Sequence, residues 1–161
     1  MTPTPPARVL AVCLGNICRS PAAEAAIREA AADAGVSVEV DSAGTGHWHV
    51  GNPPNPRMVA AGARAGLAID GHARQVSASD LDDFDLVVAM DTDNLAELER
   101  MAGGRDTTAI RLFRSFDDGA DGTDVPDPYY GQDEDFDHVV NMVRPAAAGL
   151  VQWLQAQASS S

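Results

Sequence analysis

Three short apolar runs, rich in branched residues and spaced widely enough for helices between them, constrain this chain most. They are "RVLAVCL" (8–14), "VSVEVDSAG" (36–44) and "FDLVVAM" (84–90), and each reads as a buried strand. Between the first two lies an alanine-rich segment that opens on Ser20-Pro21 and closes at Gly35, the punctuation of a helix. Residues 56–66 read as a second helix, stopped by Gly66. Asp91 or Thr92 can cap a third, which runs to Met101 and stops at Gly103-Gly104. "TAIRLF" (108–113) is a fourth strand, and a Gly/Asp/Pro-rich loop follows over 117–137. The last helix carries Phe136, Val139, Val140, Val143, Leu150, Val151 and Leu154 on one face. Pro145 interrupts that helix and is expected to kink it, because its ring displaces the carbonyl of Asn141. Strands alternating with helices, without repeat or linker, imply an α/β sandwich with parallel strands.

A length of 161 residues suggests one domain with a self-sufficient core. We place it at 8–157, between a Pro/Thr-rich tail (1–7) and a frayed end (158–161). A net charge of −13 argues against nucleic acid or an anionic membrane as partner, since both select a positive surface. All 11 basic residues are arginine, so a lysine nucleophile or Schiff base is excluded. Two cysteines do not make a disulfide scaffold. Neither a signal peptide nor a long apolar span is recognisable, and a reducing cytoplasmic location fits best.

Cys13 falls at the carboxyl end of the first strand, where ligands collect in an open parallel sheet. The loop behind it reads "CLGNICRS". Successive N–H groups there, aimed by a helix N-terminus, form an anion cradle, and that field together with Arg19 favours thiolate over thiol. Gly15 and Asn16 are the residue types that best tolerate a left-handed backbone. Arg19 supplies a planar fork that matches two oxygens of a phosphoryl group. Nucleophile, anion hole and charge clamp thus share one loop, the pattern of phosphate chemistry. Zinc has little support, because the cysteines and histidines match no usual ligand spacing.

"VCLGNICRSP" resembles the phosphate-binding loop of the low-molecular-weight protein tyrosine phosphatases. The resemblance continues through "DSAGTGHWHVG" (41–51), "ARQV" (73–76), "AMDTDNL" (89–95) and "DPYYG" (127–131), in the family's order and spacing. It implies a four-stranded parallel sheet flanked by helices, with the phosphate loop after strand 1 and no metal or organic cofactor. The implied partners are phosphotyrosine-containing proteins, with phosphate as product, handled by a monomer or weak dimer.

Many carboxylates crowd residues 117–137, but Asp127 differs because Pro126 and Pro128 stiffen its backbone and two aromatics follow. The family's general acid stands at the Asp of "DPYY", which carries over to Asp127. As the resemblance implies, Cys13 attacks phosphorus while Arg19 and the N–H groups of Leu14, Gly15, Asn16, Ile17 and Cys18 hold the oxygens. Ser20 hydrogen-bonds the thiolate, and Asn16 strains the loop into shape, braced by Ser42. Trp48, His49 and Tyr129 wall a deep slot for a flat phenyl ring, too deep for phosphoserine. Tyr129 and Tyr130 are where some relatives are themselves phosphorylated. Cys18 is expected to trap oxidised Cys13 as a reversible disulfide.

One departure concerns a second brace. The family often reads His-x-Ala-Arg, whereas here His72 directly precedes Ala73-Arg74, so a bracing role for His72 is open. Arsenate reductase on the same scaffold is an alternative activity, although no cysteine follows Cys18. Phosphoarginine hydrolysis is another, against which stands Ile17 where that branch typically has threonine.

Overall fold

A computed structural model describes residues 6–159, and the outer parts of both expected tails lie outside the described residues. Within them, β1 begins at Ala7 and the last helix ends at Ser159, each slightly beyond the expected domain limits.

The strands are β1 (Ala7–Cys13), β2 (Val38–Gly44), β3 (Leu86–Ala89) and β4 (Ile110–Leu112). They form one sheet in the order β2-β1-β3-β4, with every pairing parallel. The register sets Cys13 beside Gly44 and Val12 beside Ala89. From β1 the chain moves to one edge to form β2, then crosses back to form β3 on the other side. The carboxyl ends of β1 and β3 therefore flank the switch point, where a crevice opens in doubly wound sheets.

Alternation along β1 builds a core on each face. Val9, Ala11 and Cys13 point to one side, where they join Ile27 of α1 (Arg19–Ala34) and Phe136, Val143 and Leu150 of α5 (Asp133–Ser159). Leu10 and Val12 point to the other, meeting Leu98 of α4 (Thr92–Ala102). Helices thus cover both faces, with α2 (Pro56–Arg64) packed on α5. Burial explains the alanines of α1: every residue from Arg19 to Ile27 is buried, so small side chains are needed nearly all round.

Punctuation follows the expected chemistry. Gly35 closes α1 at φ 68°, Asn55 caps α2 through Arg57 N–H, and Asp91 caps α4 through Asn94 N–H. Two short elements add to the sequence reading: α3 (Asp80–Asp83) and a 3-10 turn at Phe113–Phe116. Pro145 does not end α5, which continues as one helix through it. The residues around it, Val143, Ala146 and Ala147, are fully buried, and that packing outweighs the lost backbone hydrogen bond. No helix among the described residues is long and apolar enough to cross a membrane.

The 3-10 turn lies against α5 where a side chain is missing. A Cβ on Gly149 would fall 1.8 Å from the Phe116 carbonyl oxygen. Gly149→Ala is therefore expected to destabilise the fold by about 1–3 kcal/mol in urea unfolding, despite alanine's better helix propensity. An unchanged or raised midpoint would show that α5 is not held at this distance.

Candidate active site

At the end of β1 the chain turns through residues 14–18 and enters α1 at Arg19. Asn16 is the only non-glycine residue with positive φ among those described, at 58°. Its amide is fully employed. Nδ2 donates to Ser20 Oγ at 2.8 Å and Ser42 Oγ at 3.0 Å, while Oδ1 accepts from Arg74 N–H at 3.0 Å.

These bonds orient the hydroxyls beyond them. Ser42 accepts from Asn16, so its proton goes to Glu24 Oε1 at 2.7 Å. Ser20 also accepts from Asn16, which leaves its proton for Cys13 Sγ at 3.0 Å. The Asn16 backbone N–H donates to the same sulfur at 3.2 Å. Cys13 Sγ thus receives two donors, both set by one asparagine.

Arg19 is almost fully buried, and its Nη1 donates to Asp91 Oδ2 at 2.5 Å and to the Val125 carbonyl at 3.0 Å. The other oxygen of Asp91 accepts from Asn94 N–H at 2.7 Å. Asp91 therefore caps α4 and fixes the guanidinium at once. Asp127 lies 3.8 Å from Arg19 Nη2, and its side chain is 47% exposed. Its Oδ1 accepts from Tyr129 N–H at 3.1 Å. Burial opposes charge on Arg19, but Cys13, Asp91 and Asp127 outweigh it and hold the guanidinium above its usual range.

A cavity of 320 Å³ opens over these groups, with Cys13, Arg19 and Asp127 sharing it with Trp48, His49, Tyr129 and Tyr130. His49 and Tyr129 stand 6.1 Å apart between ring centroids. Trp48 is stacked on His47 at 5.6 Å, and its ring lies where a Cβ on Gly46 would sit. Tyr130 meets Tyr129 edge-on but is 94% exposed, placing it at the rim.

The family model described as "Low molecular weight phosphotyrosine protein phosphatase" matches residues 8–160. The chain belongs to this family. It is 45% identical over 150 residues to the low molecular weight protein-tyrosine-phosphatase YfkJ of Bacillus subtilis (strain 168), covering 91% of this chain and 95% of the relative. To the low molecular weight protein-tyrosine-phosphatase of Streptomyces coelicolor it is 48% identical over 149 residues, with 89% and 91% covered. Its fold superposes with a TM-score of 0.91 on the protein tyrosine phosphatase of Entamoeba histolytica, crystallised with Hepes in its active site. That match covers 94% of this chain and 98% of the other, at 36% identity.

Within this family frame, the expected site residues gather at one end of the sheet, with one exception. His72 is exposed and makes no hydrogen bond among the described residues. It lines a separate hollow near Asn16 and Ser42. The brace from this loop is the Arg74 N–H instead, and residue 74 is pinned through its guanidinium by Asp41 and Asp80, both at 3.0 Å. The bracing role left open for His72 is filled by the main chain at Arg74.

Sequence reasoning also missed Glu24 behind Ser42 and the second role of Asp91. The signal for Asp91 lay in "AMDTDNL", where it read only as a cap. Glu24 is buried, and desolvation raises its carboxyl above the usual range despite the Ser42 bond and Arg28.

Cys18 is buried and free. Desolvation first, then the charges of Cys13 and Asp127, push its thiol from the usual 9.0 up to about 12, against the pull of Arg19. Folding therefore favours the protonated thiol. That stabilisation is complete below the unfolded value of 9.0 and is lost as pH rises toward about 12. In chemical denaturation across this window, Cys18→Ala should lose stability less steeply than the wild type. Parallel slopes would contradict the raised thiol.

Proposed function

We propose that the chain hydrolyses phosphotyrosine monoesters in proteins through a phosphocysteine intermediate. The supporting observation is the convergence of Cys13, Arg19 and Asp127 on one aromatic-walled cavity. Cys13 Sγ attacks phosphorus in line with the phenolic leaving oxygen. Arg19 and the N–H groups of residues 14–18 hold the equatorial oxygens through a loose transition state. Asp91 is a positioning residue that keeps the guanidinium fork in place.

Asp127 gives its proton to the departing phenolate, then as carboxylate takes one from the water that hydrolyses the thiophosphate. Its exposure and long contact with Arg19 leave it free for both steps. Ser20, by donating to sulfur, stabilises the departing thiolate. His49, Tyr129 and Trp48 form the slot in which the phenyl ring lies, which favours phosphotyrosine over shorter phosphoserine. Tyr130 extends that wall at the rim. The arsenate and phosphoarginine readings have less behind them, given no cysteine after Cys18 and an isoleucine at position 17.

We place the reaction in the cytoplasm, where reducing conditions keep Cys13 as a free sulfur. Under peroxide, Cys13 thiolate becomes a sulfenic acid with release of hydroxide. Cys18 then condenses with it, losing water and forming a disulfide. Burial is the main cause that holds Cys18 protonated, and oxidation of Cys13 removes only the thiolate charge that adds to it.

Cys13→Ser is expected to abolish turnover of p-nitrophenyl phosphate. Asp127→Asn should slow poor phenolic leaving groups by about 10²- to 10⁴-fold and p-nitrophenyl phosphate much less. Equal losses on both would remove Asp127 from the acid role. After peroxide, dithiothreitol should restore the wild type but not Cys18→Ser, and equal recovery would rule out the trap.

A further inference from the structure

Two arginines are buried among the described residues, Arg19 in the phosphate site and Arg114 on the 3-10 turn after β4. Phe113 and Phe116 on the same turn are buried too, which fixes it in the core. Arg114 Nη1 donates to the Asp124 carbonyl at 2.9 Å, and Nη2 donates to Asp121 Oδ1 at 2.8 Å. Its Nε is buried with no hydrogen-bond partner among the described residues.

Burying a guanidinium is unfavourable unless pairing and hydrogen bonds offset the lost water. Here the offset is incomplete. Nε has no acceptor, and the Asp121 side chain is 92% exposed, where an ion pair contributes little. What the buried cation does achieve is placement. Asp124 is held at its carbonyl by Arg114 and at its carboxylate by the Thr92 N–H, at 3.1 Å, where α4 begins. The next residue, Val125, is fully buried. Its N–H donates to the Met90 carbonyl at 2.7 Å, and its own carbonyl accepts from Arg19 Nη1 at 3.0 Å. Two buried guanidinium groups thus grip consecutive carbonyls, and Asp127 follows across the stiff Pro126.

We propose that Arg114 is a positioning residue for Asp127, holding the acid's loop where the carboxyl faces Arg19 and the leaving oxygen. The inference rests on the phosphotyrosine phosphatase reading above and adds the group that sets its acid. Arg114 does not line the cavity that holds Cys13, Arg19 and Asp127, so it acts through the main chain of residues 124–127. A lysine keeps the charge but lacks the planar fork that holds the Asp124 carbonyl and the Asp121 carboxylate together.

The test compares kcat/KM for phenyl phosphate, whose leaving group depends on protonation, with that for p-nitrophenyl phosphate, whose leaving group depends on it little. Arg114→Met should lower the first about tenfold and the second at most about twofold, since a displaced acid costs most where the proton matters most. Arg114→Lys should shift the same ratio by less, and it decides if Arg114→Met does not fold. In the Asp127→Asn background, Arg114→Met should add no further loss on phenyl phosphate, because the acid that it places is gone. Amide exchange at Val125 should quicken about tenfold in either Arg114 variant, while that of β1 stays unchanged.

Equal losses on both substrates, a further loss in the Asp127→Asn background, or unchanged exchange at Val125 overturn the positioning role. Hydrolysis of p-nitrophenyl phosphate by the wild type is scored separately. Faster exchange at Val125 in a chain that hydrolyses neither substrate keeps the clamp on the loop and sinks the phosphatase reading. Hydrolysis with an unmoved ratio does the reverse.

Discussion

The site depends on one left-handed residue and its amide. An L-residue in that conformation is unfavourable by about 1–2 kcal/mol, and Asn16 is held there by bonds to three separate parts of the chain. Its partners are Ser20 in α1, Ser42 in β2 and the main chain at Arg74. Each partner is itself anchored, Ser42 on Glu24 and Arg74 on Asp41 and Asp80. The loop is also gripped from outside. Thr45 and Gly46 donate backbone N–H groups to the carbonyls of Cys13 and Leu14, and a Cβ on Gly44 would come within 2.7 Å of the Leu14 oxygen. The glycine of "DSAG" is thus part of the cradle's back wall.

Electrostatics divides the two aspartates that meet Arg19. A chain of net charge −13 repels anions at long range, so phosphate recognition must be built locally from oriented donors. Asp91 does the orienting: it is tied to a helix N-terminus and bonded to the guanidinium at 2.5 Å. Asp127, at 3.8 Å and half exposed, is left free to exchange protons with solvent and substrate. The same residue type serves as a fixed strut or a proton carrier according to how many partners hold it.

Much of this was legible before any coordinates. The apolar run "RVLAVCL" was readable as a buried strand and the periodic apolar residues of the last helix as its buried face. The Cys-to-Arg loop was readable because all its parts are local. Less legible were features that depend on what a residue meets at a distance. Whether His72 braces the loop was open in the sequence, and the brace is a backbone N–H at Arg74. Pro145 interrupts the last helix in the sequence, and buried neighbours on both sides let α5 continue through it. The short α3 escaped notice because it is a single turn with one apolar residue, Leu81, among three aspartates, and Asp80 is held by Arg74 and Ser77.

By itself, then, the sequence determined the alternation of strands and helices, the nucleophile loop and the chemistry that loop can perform. Those depend on periodicity, turn residues and spacing, which act over a few residues. Only the tertiary structure decided which carboxylate fixes Arg19, which hydroxyl points its proton at Cys13, and where Asp127 stands. These choices follow from strand order. With β1 between β2 and β3, Ser42, Asp91 and Asp127 are drawn to one edge from positions as far apart as 85 residues, and hydrogen-bond geometry then assigns each its role.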